Sequence, residues 1–320
     1  MKTVRIGIVG MGHMGRHHAR KALELAQRGE GVELVGVSDA QPERARSGAA
    51  EFGVRALPDS DALYKAVDAV IAAVPAVDHH KVVSAALAAG CDVLVEKPIA
   101  VSVAESESLI ELAGRRGCIL HVGHLEWFNA VTGVLRKRVQ GPRYVEVHRK
   151  GMVSARPTDV DVVRDLMIHD IDILQQLVGD EPEHIEAVGV PVVTAYVDIV
   201  NARIGFASGC VANLTASRVS HNNVRKMRFF QGDGYLSVDF LAQTASFYHR
   251  VHEVNGVPAR MEVEEFVFDP EDALLSQLRV FVDAVRRRDV LNTSARSALG
   301  ALRTAIRVLD AIPDLDGRAS

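Results

Sequence analysis

The first 120 residues alternate short apolar runs with stretches of helical periodicity. Runs at 4–9, 32–38, 69–73, 92–96 and 119–122 predict strands, and 12–27, 42–52, 79–89 and 103–114 predict helices between them. Ser102 followed by Glu105 marks a capping box at the head of the last of these helices. Strands that alternate with helical crossovers imply a doubly wound parallel sheet, and the wholly apolar stretches 6–9 and 69–74 fit strands covered on both faces. After a helix at 131–140 the texture changes. Strand-like runs at 143–148, 185–190, 198–206, 210–217, 224–231 and 235–240 follow, punctuated by Ser208-Gly209, Gly232-Asp233-Gly234 and Asn255-Gly256. This pattern predicts a large, open, mostly antiparallel sheet. One long helix, 160–178, interrupts it, and helices at 272–287 and 293–311 close the chain. The expected architecture is α/β: a dinucleotide-binding domain over 1–123 and an α+β domain over 124–320.

The bulk numbers narrow the class. With 48% hydrophobic residues, 24% charged residues and a net charge of −4, the chain has the balance of a globular enzyme. It lacks the basic surplus of a nucleic-acid binder. Cys91, Cys118 and Cys210 have no paired spacing, so neither a disulfide framework nor a zinc site is expected. The apolar run near the N-terminus is too short for a secretion signal, and no stretch reaches the roughly 18 apolar residues of a membrane span. A cytoplasmic protein without nucleic-acid or membrane partners is expected.

The chemistry begins at Gly10-Met11-Gly12-His13-Met14-Gly15, which follows the first strand and opens the first helix. Gly10 permits a tight turn, Gly12 lets a pyrophosphate approach the backbone, and Gly15 lets helix and strand pack closely. The free amides at the helix start, at His13 and Met14, then favour phosphate. Asp39 stands at the end of the second strand, where an acidic residue reads the adenosine ribose. Its charge would repel a 2′-phosphate and Ala40 offers no compensating cation, so NAD is expected over NADP. Arg44 and Arg46 keep NADP as the alternative. Glu96-Lys97-Pro98 ends the fifth strand, on the side where ligands of such sheets sit, which points Lys97 toward the cofactor. On a helix Asp161, Asp165, His169 and Asp172 share one face of an otherwise apolar surface. That stripe fits acid–base catalysis in a wet cleft. A surface ion-pair row and a metal site using His169 with two aspartates are the alternatives.

The glycine turn, the exit Ala73-Val74-Pro75 with His79 beyond it, and Glu96-Lys97-Pro98 together resemble the Gfo/Idh/MocA oxidoreductase family over essentially the whole chain. The resemblance implies a Rossmann domain followed by a domain on an open antiparallel sheet. It also implies dinucleotide contacts at Gly10, Gly12, His13, Met14, Gly15, Asp39, Val74, Pro75, His79, Glu96 and Lys97. The family signature of an aspartate followed four positions later by a histidine falls on Asp165 and His169, with Met167 where relatives often carry glycine. Lys97, Asp165 and His169 are then the catalytic residues. A base removes the hydroxyl proton as the carbinol carbon gives hydride to nicotinamide, His169 suits that base, Asp165 orients it, and Lys97 steadies the oxygen. Whether Lys97 or His169 takes the proton first stays open, and no metal is expected.

Longer stretches are similar to the branch of the family that oxidises the C3 hydroxyl of UDP-N-acetylglucosamine. These include His121-Val122-Gly123-His124-Leu125-Glu126, residues 159–172, and 197–199 onward to Ser217-Arg218-Val219-Ser220. That resemblance implies a nucleotide-sugar substrate held by His124, Arg156, Arg164, Asp165 and His169. It further implies an aminotransferase that consumes the keto sugar on the way to amide-linked lipid A, and a homodimer or homotetramer. Trp127 stands where relatives usually carry arginine. The diphosphate needs cations, for which Arg149, Lys150, Arg156, Arg164, Arg218, Arg225, Lys226 and Arg228 are candidates. A dehydrogenase of free sugars or of cyclitols such as inositol is the alternative, and a non-catalytic NAD-binding regulator is a third reading.

Overall fold

The computed structural model describes residues 2–152, 160–251, 260–269, 271–289 and 293–313. The Asn255-Gly256 turn and Arg156 lie outside them. The chain divides into two compact units, Met1–Phe128 with Asp272–Leu299 and Asn129–Glu271 with Gly300–Ser320.

The first unit holds strands β1 (Val4–Val9), β2 (Val32–Ser38), β3 (Arg55–Ala56), β4 (Ala69–Ala72), β5 (Asp92–Val95) and β6 (Leu120–Val122). Helices α1 (His13–Gln27), α2 (Pro42–Phe52), α3 (Ser60–Tyr64), α4 (Ala76–Ala88) and α5 (Val103–Arg116) connect them. The sheet order is β3-β2-β1-β4-β5-β6, with every pair parallel. β4 and β5 are buried at every position, as strands covered on both faces must be. The order reverses between β1 and β4, so a ligand crevice opens beyond their carboxyl ends. The predicted cap forms: the Ser102 hydroxyl oxygen accepts the Glu105 amide at 3.2 Å. β3 and α3 were absent from the expected elements because two and five residues are too few to show a period.

The last part of the first unit comes from far along the chain. Helix α8 (Ala273–Arg287) turns Leu275, Leu278, Phe281, Val282 and Val285 into the core built from Ile6, Leu25 and Leu34. Arg279 fixes its outer side through a two-pronged contact with Glu30 at 2.7 and 2.8 Å. A single boundary near residue 123 therefore does not describe the chain, which returns to its first unit over 272–299. The apolar face of α8 is legible in the sequence, whereas the core that receives it is not.

The second unit begins with helix α6 (Ala130–Arg138) and contains helix α7 (Ile168–Val178). Its strands are β7 (Tyr144–Lys150), β8 (Pro182–Val190), β9 (Ile199–Phe206), β10 (Val211–Ser217), β11 (Val224–Gln231), β12 (Gly234–Asp239), β13 (Thr244–Val251) and β14 (Arg260–Val267). Their order is β14-β13-β12-β11-β7-β10-β9-β8, antiparallel throughout except for the β7–β10 pair. One face is closed by Val145, Val147, Ile204, Leu214, Phe229 and Leu236, all buried. β14 escaped the sequence reading because charged residues interleave its apolar positions, and β13 because small and polar residues, Thr244, Ser246 and His249, dilute its apolar ones. Glu262, Glu264 and Glu265 on the edge strand β14 are charges that protect an open sheet edge. Helix α9 (Thr293–Asp310) is the last described element, its residues from Gly300 onward belonging to this unit.

Phe281 is fully buried in the first core. Phe281→Ala is expected to destabilise that unit by about 3–5 kcal/mol, read as a lower urea midpoint for loss of its structure. An unchanged midpoint would separate α8 from that core.

Candidate active site

In the first unit the cofactor-type residues converge on the crevice between β1 and β4. Gly10 has φ +94°, and a Cβ there would sit 2.5 Å from the Ala73 carbonyl oxygen. A Cβ on Gly15 would lie 1.8 Å from the Gly10 carbonyl oxygen, so α1 can approach β1 only with glycine at this position. A Cβ on Gly12 would meet nothing within 4 Å. Gly12 is also the N-cap of α1, and no side chain caps that helix. An open glycine at an uncapped helix start fits a phosphate, because the amides of the first turn have no side-chain acceptor.

Asp39 is fixed at the edge of this turn. Its Oδ2 accepts the Met11 amide at 2.7 Å and its Oδ1 accepts the Gln41 amide at 2.8 Å. Each carboxylate oxygen retains a second lone pair, so two acceptor positions remain for ribose hydroxyls. At the β4 exit Val74 is half-buried and Pro75 exposed, whereas His79 is buried. The His79 Nδ1 lies 2.7 Å from the Pro98 carbonyl oxygen and Nε2 lies 3.0 Å from that of Val74. Burial pushes this imidazole below its ordinary pKa against the pull of both carbonyls, and the neutral ring donates to one of them. His79 thus braces the β4 and β5 exits from behind.

Glu96 and Lys97 follow β5 directly, with a cis peptide joining Lys97 to Pro98. The Glu96 carboxylate is turned inward to His18 on α1, with Nε2 at 2.7 Å from Oε1. Its part is therefore to hold the strand exit. His124 follows β6 at 5% exposure.

The second unit carries the predicted acid–base pair. Residues Val163–Met167 form a π-helical turn before α7 begins, so the expected uninterrupted helix is widened there. Two of the four stripe residues are buried with partners of their own. Asp161 is buried and its Oδ1 accepts the Arg164 amide at 2.8 Å, capping the turn. Asp172 is buried and accepts Gln176 Nε2 at 2.9 Å. Asp165 and His169 remain half-buried. π-turns of this kind recur at functional sites.

Two buried ion pairs support this segment, and neither was foreseen. Arg149 Nε and Nη2 each lie 2.8 Å from an oxygen of Asp170, joining β7 to α7 next to His169. Arg218 donates from Nη2 to the Val160 carbonyl oxygen at 2.6 Å, with Nε 3.6 Å from Asp198 Oδ1. The Asp198 Oδ2 in turn accepts the amides of Val192, Val193 and Thr194 at 2.8, 2.7 and 2.9 Å. Arg149 and Arg218, expected among the diphosphate cations, are thus committed to the scaffold. Lys226 faces Asp239 at 3.1 Å and Arg228 faces Glu146 at 3.7 Å. Arg164 is partly exposed, with Nη1 3.6 Å from Asp161.

The first unit thus carries an uncapped glycine turn at a topological switch point, a fixed ribose-type acceptor and a lysine at the next strand exit. These features define a dinucleotide-binding oxidoreductase. Residues 4–124 match the model of an oxidoreductase family with an NAD-binding Rossmann fold, and residues 138–237 match the GFO/IDH/MocA C-terminal domain. A UDP-N-acetylglucosamine 3-dehydrogenase of Acidithiobacillus ferrooxidans is 40% identical over 287 residues, 89% of this chain and 90% of that protein. The solved structure of UDP-N-acetylglucosamine 3-dehydrogenase GnnA from that organism matches with a TM-score of 0.89 at 36% identity, covering 98% of both chains. An inositol 2-dehydrogenase of Acidothermus cellulolyticus is 32% identical over 58% of this chain and 57% of its own length. A scyllo-inositol dehydrogenase of Lactobacillus casei, solved with NAD(H) and scyllo-inositol, shares the fold at a TM-score of 0.79 and 19% identity. The chain belongs to the Gfo/Idh/MocA oxidoreductase family and is a dehydrogenase acting on a CH–OH group.

Burial pushes the Asp198 carboxyl up, but the amides of Val193, Thr194 and Val192 and the Thr194 hydroxyl outweigh it and hold it at about 2. A carboxyl depressed in the folded state stabilises fully above its unfolded value and loses that contribution as pH falls through the folded one. The stability advantage of the wild type over Asp198→Asn is therefore expected to be full near pH 5 and to shrink toward pH 2. Denaturant midpoints measured across that range check this, and a constant difference would contradict it.

Proposed function

We propose that the protein oxidises the C3 hydroxyl of UDP-N-acetylglucosamine to the 3-keto sugar with NAD⁺. The similarity to a UDP-N-acetylglucosamine 3-dehydrogenase over 89% of the chain is the observation that carries this reading. The first unit supplies the cofactor contacts: the amides of His13 and Met14 for the pyrophosphate, Asp39 for the adenosine ribose, and Val74 and Pro75 along the β4 exit. The charge of Asp39 favours NAD over NADP by repelling a 2′-phosphate. A nicotinamide held there would supply the hydride acceptor for the carbinol carbon. His169 takes the hydroxyl proton, Asp165 orients the imidazole and stabilises its cation, and Lys97 donates to the oxygen as negative charge builds on it. Arg164 and His124 contribute to substrate binding. The keto product suits a glutamate-dependent aminotransferase, whose amine product would supply lipid A with amide-linked acyl chains.

NADH formation from NAD⁺ and UDP-N-acetylglucosamine, coupled to such an aminotransferase, tests the activity. Turnover is expected with the nucleotide sugar; turnover of inositol alone would replace this reading by a cyclitol dehydrogenase. His169→Ala is expected to lower kcat at least about 100-fold while leaving NAD⁺ affinity nearly unchanged. Asp39→Ala is expected to raise the Kd for NAD⁺ roughly 10- to 100-fold and to narrow its advantage over NADP⁺.

The open face of the eight-stranded sheet supports a homo-oligomer. Tyr144, Phe230, Tyr235 and Tyr248 stack in a row across four strands, with ring centroids 5.5, 5.3 and 4.4 Å apart. Val263 continues the row on β14 at 47% exposure, beside Met261 at 57%. We propose that a second copy covers this apolar band, since contiguous bands of this kind mark interfaces. Sedimentation of Tyr235→Arg should show a smaller species than the wild type, and an unchanged mass would remove this face from the interface.

A further inference from the structure

The imidazole–carboxylate contact that holds the β5 exit reaches further than that exit. His18 lies on the inner face of α1 with Gly15, Ala19, Ala22 and Leu25, the one titratable side chain there, and it is fully buried. Its Nε2 is 2.7 Å from Glu96 Oε1. The acceptor is a carboxylate, so Nε2 carries the proton and donates, while Nδ1 is buried without a hydrogen-bond partner. The ring is therefore committed to one partner, Glu96.

Glu96 is boxed in on its other sides. Its amide donates to the Ala72 carbonyl at 3.0 Å, which locks its backbone to β4. A Cβ on Gly123 would come within 3.0 Å of Glu96 Oε2 and 3.2 Å of its Cα, so the carboxylate packs against bare backbone there. Burial pushes this carboxyl up, yet the hydrogen bond from His18 and the nearby charge of Lys97 outweigh it and hold it below the usual carboxylate range. The result is a fixed, largely buried anion whose neighbour in the chain is Lys97. Without its donor such an anion is costly, so the side chain would take up a proton or turn out toward water.

We infer that His18 is a positioning residue for Lys97: it anchors the Glu96 side chain at 2.7 Å, and the anchored Glu96 fixes the backbone from which the lysine side chain leaves. This rests on the catalytic role proposed for Lys97. His18 sits one turn beyond the phosphate-type glycine turn, so the same helix that would receive the pyrophosphate also braces the strand exit carrying the lysine. A misplaced group in an active site costs rate far more than binding.

The test uses the full chain and the variants His18→Leu, His18→Gln, Glu96→Gln and Lys97→Ala. Labelling of Lys97 by acetic anhydride, read by mass spectrometry, reports its restraint without any substrate. Kinetics with NAD⁺ and UDP-N-acetylglucosamine, NAD⁺ affinity and thermal midpoints accompany it. His18→Leu and Glu96→Gln are expected to raise Lys97 labelling several-fold and to lower kcat roughly 10- to 100-fold, with NAD⁺ affinity little changed. His18→Gln, whose amide nitrogen donates to the same oxygen, recovers most of both. Unchanged labelling in Glu96→Gln, or in a folded His18→Leu with a lowered midpoint, would overturn the inference by leaving His18 a purely structural role. So would a His18→Gln variant no better than His18→Leu. If His18→Leu does not fold, Glu96→Gln and His18→Gln decide. Full turnover in Lys97→Ala would instead remove the role of Lys97, which the labelling distinguishes from a failure of the His18 contact.

Discussion

The first unit depends on the contact between α1 and β1, where Gly15 leaves room for nothing but hydrogen against the Gly10 carbonyl. That approach fixes three things at once. It aims the uncapped start of α1 over the carboxyl end of β1. It brings the Met11 amide within 2.7 Å of Asp39, which anchors the acceptor at the β2 exit. It also seats His18 against Glu96, so the strand exit that bears Lys97 is tied to the same helix. A switch point in a parallel sheet offers a crevice to any ligand, and the short helix-to-strand distance makes this one suited to a dinucleotide.

The second unit meets a different constraint. Asp165 and His169 sit on a segment that opens with a π-helical turn, an arrangement of lower intrinsic stability than a continuous α-helix. Buried charge holds it. Arg149 and Asp170 join α7 to β7, and Arg218 fastens the carbonyl of Val160 just before the turn. Such pairs add little net stability compared with apolar replacements, but breaking one leaves a charge stranded, which makes them effective at fixing geometry. Two arginines that charge alone would assign to a diphosphate are spent on this task.

Much of this was legible in the sequence, and for identifiable reasons. Gly10 to Asp39 could be read because a phosphate turn and a ribose acceptor are set by spacing along contiguous chain. The doubly wound sheet followed from alternation of period. Other features depend on contacts between distant residues. Arg149 pairing with Asp170, and α8 returning to the first core through Phe281, leave no local trace. The π-turn changes backbone hydrogen bonding without altering the apolar pattern, so the stripe from Asp161 to Asp172 was drawn on a helix taken as regular, whereas its first part is widened. β14 was hidden by edge charges and β13 by its small and polar residues. His18 did leave a signal, a single imidazole at an apolar helical position, but its partner Glu96 lies 78 residues away.

The central claim is that close approach of α1 to β1 creates the dinucleotide site. Titration calorimetry of NAD⁺ into Gly15→Ala tests it most directly, because the added methyl carbon would lie 1.8 Å from the Gly10 oxygen and must push the helix away. The account predicts that heat of binding disappears while circular dichroism still shows folded protein. NAD⁺ binding at wild-type affinity in that variant would contradict it.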